Sequence, residues 1–211
     1  MPLELKMKLT VTDHNVSDWI FNSAEFNEKT RGDFPPTPGV LHYYDTADGA
    51  LQQRGWSLLL RDERVRHVAA LRTEAADMRD SYLFSREEWQ VVADTVEASI
   101  DLLVEDGAPR ELYDILGGKP LIEQCHIDTM RRGRIIEPSE GLLIAVLEDV
   151  GTLNVENKSE PFHELEVSLL FGRAEELEPF VDRMFQEVPG LERARLSKYE
   201  RALRLIRSRN R

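Results

Sequence analysis

Charged residues recur at alternate positions in segments that otherwise alternate as strands do. In LELKMKLTV, Glu4, Lys6 and Lys8 fall on one face and Leu3, Leu5, Met7 and Leu9 on the other. Further along, Arg86 and Glu88 share a face opposite Trp89 and Val91, and Glu164 and Glu166 share a face opposite Leu165 and Val167. Arg61, Arg72, Arg131 and Asp149 each interrupt or end an apolar stretch. Carboxylates two residues apart on one face offer hard oxygen donors to a divalent cation. Guanidinium forks and ammonium groups hold phosphate oxygens. A polyphosphate chelated to magnesium meets both demands. Any one pair also reads as a solvated strand face, and what sets this chain apart is recurrence over six strands.

The elements that must carry these residues follow from periodicity and breakers. Strands are expected at Leu3–Val11, Val40–Asp45, Tyr82–Ala93, Leu121–Ile136, Gly141–Leu147 and Phe162–Leu170, with a hairpin of Trp56–Arg61 and His67–Thr73. Helical patterns cover Asn15–Asn27, Thr95–Asp106, Arg110–Leu116, Ala174–Val188 and Ser197–Arg207. The segment RGDFPPTPG is expected to break the chain between the first helix and the second strand. Sequential strands with helices between and after them indicate an α+β fold on an antiparallel sheet. If the helices cover the apolar strand faces, the charged faces meet across a closed or nearly closed sheet. Such an interior is costly unless ligand, metal or water satisfies it.

Composition removes other classes. The 211 residues, 41% hydrophobic and 31% charged, suit a single domain spanning residues 1–211. No run approaches a membrane span or a secretory leader, so a cytoplasmic protein that does not engage membranes is expected. A net charge of −12 argues against general nucleic-acid binding, although the segment from Glu192 to Arg211 is basic. One cysteine, Cys125, excludes a disulfide framework and a cysteine zinc cluster, and it reads as a small buried hydrophobe. There is no Gly-rich phosphate loop and no G-x-S-x-G elbow. His42, His67, His126 and His163 lack a shared ligand spacing and read as core or rim residues. Tyr43, Tyr44 and Trp56 serve either as stacking platforms for a nucleoside or as core.

In this order the charged motifs resemble the CYTH superfamily, the triphosphate tunnel metalloenzymes, which include inorganic and thiamine triphosphatases and class IV adenylate cyclases. LELKM resembles the family's ExExK opening strand, with Glu4 and Lys6 at its second glutamate and its lysine. LHYYDTADGALQQRGWSLLLRDE resembles the segment that ends in an arginine-bearing strand, with Arg61 matched, and AALRT places Arg72 on the next strand. SREEW matches an R-x-E strand at Arg86 and Glu88, IDTMRR supplies Arg131, and LEDVG supplies Asp149. HELEV matches an ExE strand at Glu164 and Glu166, and LSKYERAL a terminal Ser-Lys helix at Lys198. The resemblance implies an eight-stranded antiparallel closed β-barrel, a triphosphate tunnel with surrounding helices and a C-terminal helix.

It also implies roles. Lys6, Arg61, Arg72, Arg86, Arg131 and Lys198 would hold phosphate. Glu4, Asp149, Glu164 and Glu166 would hold Mg²⁺ or Mn²⁺, and Glu4, Glu88 and Glu166 would serve catalysis. The partner would be a small molecule carrying a triphosphate, and the protein a monomer or homodimer. Two positions depart from the pattern: Pro2 replaces the first ExExK glutamate and Leu59 the first arginine of the paired-arginine strand. A slip by two would instead put Glu4 first, Lys6 in the second-glutamate place and Lys8 as the lysine. The expected activity is metal-dependent hydrolysis of tripolyphosphate or a small organic triphosphate, with a non-catalytic phosphate-binding module and a cyclase as alternatives.

Overall fold

The structure, a computed structural model, describes residues 4–13, 15–63, 65–74, 83–194 and 196–207. Within these, the side chains of Glu4, Glu25, Glu74, residues 83–86 and Arg207 lie outside the description. The period-two segments become strands β1 (Glu4–Val11), β2 (Thr30–Thr46), β3 (Trp56–Glu63), β4 (Arg66–Glu74), β5 (Leu83–Val92), β6 (Leu121–Ser139), β7 (Leu142–Val155), β8 (Lys158–Phe171) and β9 (Leu191–Arg193). Every described pairing is antiparallel, in the order β5-β4-β3-β2-β6-β7-β8-β1-β9. β5, at one end of that order, also pairs β1, the neighbour of β9 at the other end, over Glu4–Met7. One edge of β1 is therefore shared, its first half facing β5 and its last residues, Leu9–Val11, facing β9.

Three expectations are corrected. The strands number nine among the described residues, not eight, because Leu191–Arg193 adds a short one. RGDFPPTPG does not break the chain: it lies within β2, which pairs with the long β6 from Thr30 to Thr46. The two prolines sit at the irregularity between Phe34 and Thr37, where the missing N–H groups cost no ladder bond. The helix from Asn15 divides into α1 (Asn15–Asn22) and α2 (Ala24–Lys29), because Ser23 accepts the Phe26 N–H at 3.3 Å and starts a new helix.

The remaining helices are α3 (Ala50–Gln53), α4 (Val96–Glu105), α5 (Glu111–Leu116), α6 (Leu177–Glu187) and α7 (Lys198–Arg207). Two apolar layers use the outer strand faces. Met7, Leu9, Ile144, Val146, Leu165 and Val167 pack against Val16, Ile20, Phe180 and Val181 of α1 and α6. Trp56, Leu58, Leu71 and Trp89 pack against Leu51, Val96, Leu103 and Leu112 of α3, α4 and α5. Covering these faces leaves the alternate residues, the charged ones, on the opposite side of the sheet. Among the described residues no helix is long and apolar enough to cross a membrane.

Candidate functional site

Register brings the charged residues of neighbouring strands opposite one another. Arg131 of β6 stands opposite Asp149 of β7, and Asp149 opposite Glu164 of β8. Glu166 stands opposite Lys8 of β1, and Arg72 of β4 opposite Glu88 of β5. Helix α7 adds cations from the C-terminal side. It begins with a reciprocal cap, Ser197 N–H donating to Glu200 Oε2 at 2.6 Å and Glu200 N–H to Ser197 Oγ at 3.2 Å. That cap makes Lys198 the first helical residue and sends its side chain to the sheet.

The result is a buried lattice of ion pairs. Arg131 grips Asp149 with two bonds of 2.7 Å, from Nε to Oδ1 and from Nη2 to Oδ2. Lys198 Nζ lies 2.9 Å from both Asp149 Oδ2 and Glu164 Oε2. Arg201 Nη1 reaches Glu164 Oε1 at 3.0 Å and its Nη2 reaches Glu160 at 2.5 Å. Lys6 Nζ approaches Glu166 Oε1 at 3.4 Å. Arg72 donates to Glu88 at 2.9 Å and to the Tyr43 hydroxyl at 3.1 Å. Asp149 and Glu164 are each only 2% exposed.

The electrostatics follow from burial set against these partners. Burial pushes the Asp149 carboxyl up, but the Lys198 ammonium and the Arg131 guanidinium outweigh it and hold the group at about 2. Burial likewise opposes ionisation of Glu166, while Lys6, Arg131, Lys8 and Lys198 hold it well below the usual carboxylate range. Lys198 is pushed down by burial and raised on balance by Asp149, Glu164 and Glu166. Arg72 is raised by Tyr43 and Glu88 against its own burial, with a contribution from Glu166 that links β4 to β8. Six cations, Lys6, Lys8, Arg72, Arg131, Lys198 and Arg201, thus share the site with five acids, Glu88, Asp149, Glu160, Glu164 and Glu166, among the residues whose side chains are described. The excess is positive, and the site can take an anion of high charge density.

Beside this charged half the same face of the sheet is dry. Tyr43, Leu59, Ala70, Cys125, Ile127, Leu153 and Phe162 form one buried cluster with Tyr199 and Ala202 of α7. Tyr199 stacks on Tyr43 with centroids 4.5 Å apart and planes at 8°. Leu59 is fully buried there, opposite Ala70 and Tyr43. Burial pushes the Cys125 thiol up to about 12, so it is inert. Tyr43 is therefore interior packing that also orients Arg72, whereas Tyr44 and Trp56 belong to the outer layer under the helices. The Tyr-Tyr-Asp-Thr stretch has a structural use as well: Asp45 accepts the Leu51 and Gln52 N–H groups at 2.9 and 3.0 Å and caps α3.

Of the residues expected at the site, Lys6, Arg72, Glu88, Arg131, Asp149, Glu164, Glu166 and Lys198 come together. Arg61 does not join them. It sits at the end of β3 opposite Leu41 and Val68, and bonds Glu63 at 2.8 and 3.1 Å. Glu4 and Arg86 face each other in the β1–β5 pairing, and their side chains, like all of Pro2, lie outside the described residues. Glu88 engages Arg72 across the strands rather than standing only as a partner of Arg86. Arg201 was not among the expected residues, since its spacing on a basic helix reads as solvated surface; the signal available was its place three residues after Lys198, one turn along the same face.

The acids are oxygen donors of the kind that Mg²⁺ and Mn²⁺ take, yet as arranged they do not fit a metal. Lys198, Arg131 and Arg201 occupy Asp149 and Glu164. Among the described residues no group of three or more Asp, Glu, His or Cys side chains is placed to hold a metal ion. Glu4 is four residues from Lys8, the β1 partner of Glu166, and six from Thr10, the partner of Glu164. At ~3.4 Å per residue that is about 14 and 20 Å along the strand.

No protein-family model matches the chain, and no curated protein matches it. Solved structures match over nearly its whole length. A candidate adenylyl cyclase from Hippeastrum, HpAC1, described as revealing a dominant triphosphatase activity, is 16% identical with a TM-score of 0.60, covering 93% of each chain. A candidate adenylate cyclase from Bacillus halodurans is 15% identical with a TM-score of 0.57, over 95% of this chain and 98% of that one. The PH1819 protein from Pyrococcus horikoshii is 17% identical with a TM-score of 0.53, again over 95% and 98%. The chain shares its overall fold, an antiparallel sheet with helices, with these proteins.

Proposed function

We propose that strands β1 to β8 form a closed tunnel whose charged half binds the triphosphate group of a small molecule and hydrolyses it. The observation that carries this reading is the convergence of six cations and five acids, among the described side chains, on a site where the buried Lys6, Lys8, Asp149, Glu164 and Glu166 cost free energy unless a counter-charge meets them. Lys6, Lys8, Arg72, Arg131, Lys198 and Arg201 supply donors from four elements around one space, which suits several phosphoryl groups better than one. Arg86, on β5 opposite Glu4, extends the same clamp at one end, while Arg61 stays with Glu63. In hydrolysis, water attacks the terminal phosphorus in line and the bond to the bridging oxygen breaks, with the cations stabilising the charge on the transferred group. Glu166, held ionised, and Glu88 orient water. A divalent cation, when present, would travel with the phosphate chain and neutralise its charge further.

The occupied acids and the dry cluster around Leu59 favour a second reading, a module that binds triphosphate without turning it over. Phosphate release separates the two. Tripolyphosphate, ATP and pyrophosphate are incubated with the full chain in Mg²⁺, in Mn²⁺ and in EDTA, beside calorimetric binding of tripolyphosphate. Release from tripolyphosphate but not from pyrophosphate supports hydrolysis, and binding without release supports the module. Formation of cyclic AMP from ATP would replace both with a cyclase. Absence of binding and release would overturn the site.

A further inference from the structure

Asp149 and Glu164 are cross-strand neighbours, both almost fully buried, and the Lys198 ammonium lies 2.9 Å from one oxygen of each. The ammonium thus bridges the two carboxylates at hydrogen-bonding distance, where a divalent ion shared by them would sit closer, at ~2.0–2.6 Å. Glu164 Oε2, buried, lies at that distance from Lys198 without an aligned hydrogen bond, so its lone pairs are met by charge alone. Arg131 takes the remaining Asp149 oxygen and Arg201 the remaining Glu164 oxygen. Phe162 covers Lys198 from another side, with its ring centre 5.2 Å from Nζ.

We infer that the Asp149–Glu164 pair is a cation site whose resident is the Lys198 ammonium, and that this tunnel takes up a phosphate chain with no divalent metal held in it beforehand. With Glu160, which Arg201 also holds, the three cations balance the acids they touch. A divalent ion brought to the same oxygens would have to displace Lys198 and would meet Arg131 and Arg201 at close range, where like charges repel strongly in a buried site. The polyanion has no such obstacle, since Lys198, Arg131 and Arg201 exchange a carboxylate oxygen for a phosphate oxygen of the same hydrogen-bonding geometry. Only the second half of the inference rests on the proposed triphosphate function.

Two measurements test it. Mn²⁺ binding to the full chain, free of phosphate, is followed by electron paramagnetic resonance for the wild type, Lys198→Met and Lys198→Met with Asp149→Asn. The wild type is expected to bind no Mn²⁺ below millimolar concentrations, Lys198→Met to gain a site at least tenfold tighter, and the double variant to lose that gain. Circular dichroism confirms that each variant is folded, and a variant that does not fold leaves the wild-type titration to decide. Micromolar Mn²⁺ binding by the wild type that depends on Asp149 would overturn the inference. Separately, calorimetry of tripolyphosphate is run in EDTA and in excess Mg²⁺. Binding in EDTA as tight as with Mg²⁺, or tighter, is expected, and binding that needs the metal would overturn it. Failure to bind in both conditions would remove the proposed function, while the Mn²⁺ titration still decides who occupies the carboxylates.

Discussion

Alignment with the resembled motif and the packing of the chain make opposite predictions for Leu59→Arg. By alignment the substitution restores a phosphate clamp and should tighten triphosphate binding. By structure, Leu59 is fully buried between Tyr43, Ala70 and Tyr199, and its removal forfeits packing that costs about 2–5 kcal/mol in a Leu→Ala change. The guanidinium must then be buried among the apolar side chains of Cys125, Ile127, Leu153 and Phe162, at a further cost of roughly several kcal/mol. The side chain is also longer than the space allows, and it would separate the Tyr43–Tyr199 stack, which is worth about 1 kcal/mol.

A total of about 4 kcal/mol or more lowers the melting temperature by roughly 10 °C in a chain of this size. The assay is thermal unfolding of wild type, Leu59→Ala and Leu59→Arg, each with and without tripolyphosphate. Leu59→Ala sets the cavity cost, and Leu59→Arg is expected to fall below it. The increment given by tripolyphosphate is expected to be equal in all three, because the dry cluster takes no part in binding. A Leu59→Arg protein as stable as the wild type, with a larger increment from tripolyphosphate, would refute the reasoning and make position 59 part of the clamp.

Glu166→Gln should lower phosphate release from tripolyphosphate at least 100-fold without weakening its binding, since the amide removes a negative charge that Lys6 faces; release kinetics beside calorimetry check this, and unchanged turnover would remove Glu166 from the chemistry. Asp149 is held at about 2, below its unfolded value near 4, so it contributes stability that is complete above about pH 5 and lost as the pH falls towards 2. That contribution is about 2 kcal/mol, and denaturant midpoints at pH 6 and pH 3 should differ less in Asp149→Asn than in the wild type. Gly151 lets β6 and β7 approach, and an added Cβ would overlap the Asp128 carbonyl oxygen; Gly151→Ala should cost about 1–3 kcal/mol in chemical unfolding.

The strands were legible because apolar residues alternate with charged ones, and two helices because Thr95 and Ser197 announce caps. The long reach of β2 was not, since two prolines in succession argue against a strand unless a partner as long as β6 tolerates the irregularity. Charged faces were legible residue by residue, but their pairing was not. Spacing places Arg72 and Glu88 on their strands, and only the β4–β5 register joins them. Arg61 shows the converse: it matches its motif and has the right face, yet Glu63, two residues on and on the same face, takes its guanidinium. The membership of Tyr199 and Arg201 in the interior depends on where α7 docks, which no local pattern in a basic helix carries.

The dry cluster bears on why the charged half exists at all. Both halves lie on the same face of the same sheet, and α7 contributes to both, Lys198 and Arg201 to one and Tyr199 and Ala202 to the other. Around Leu59 the chain shows that this interior can be filled with apolar side chains, and replacing buried ion pairs in that way is often neutral or stabilising. Ion pairs such as Arg131–Asp149 and Lys198–Glu164 are therefore not the sole way to fill this interior. Five acids and six cations, among the described side chains, kept beside a ready apolar alternative point to a charge demand from outside the fold. Cations that carboxylates hold in place until an anion enters meet that demand, and the tripolyphosphate titration measures it directly.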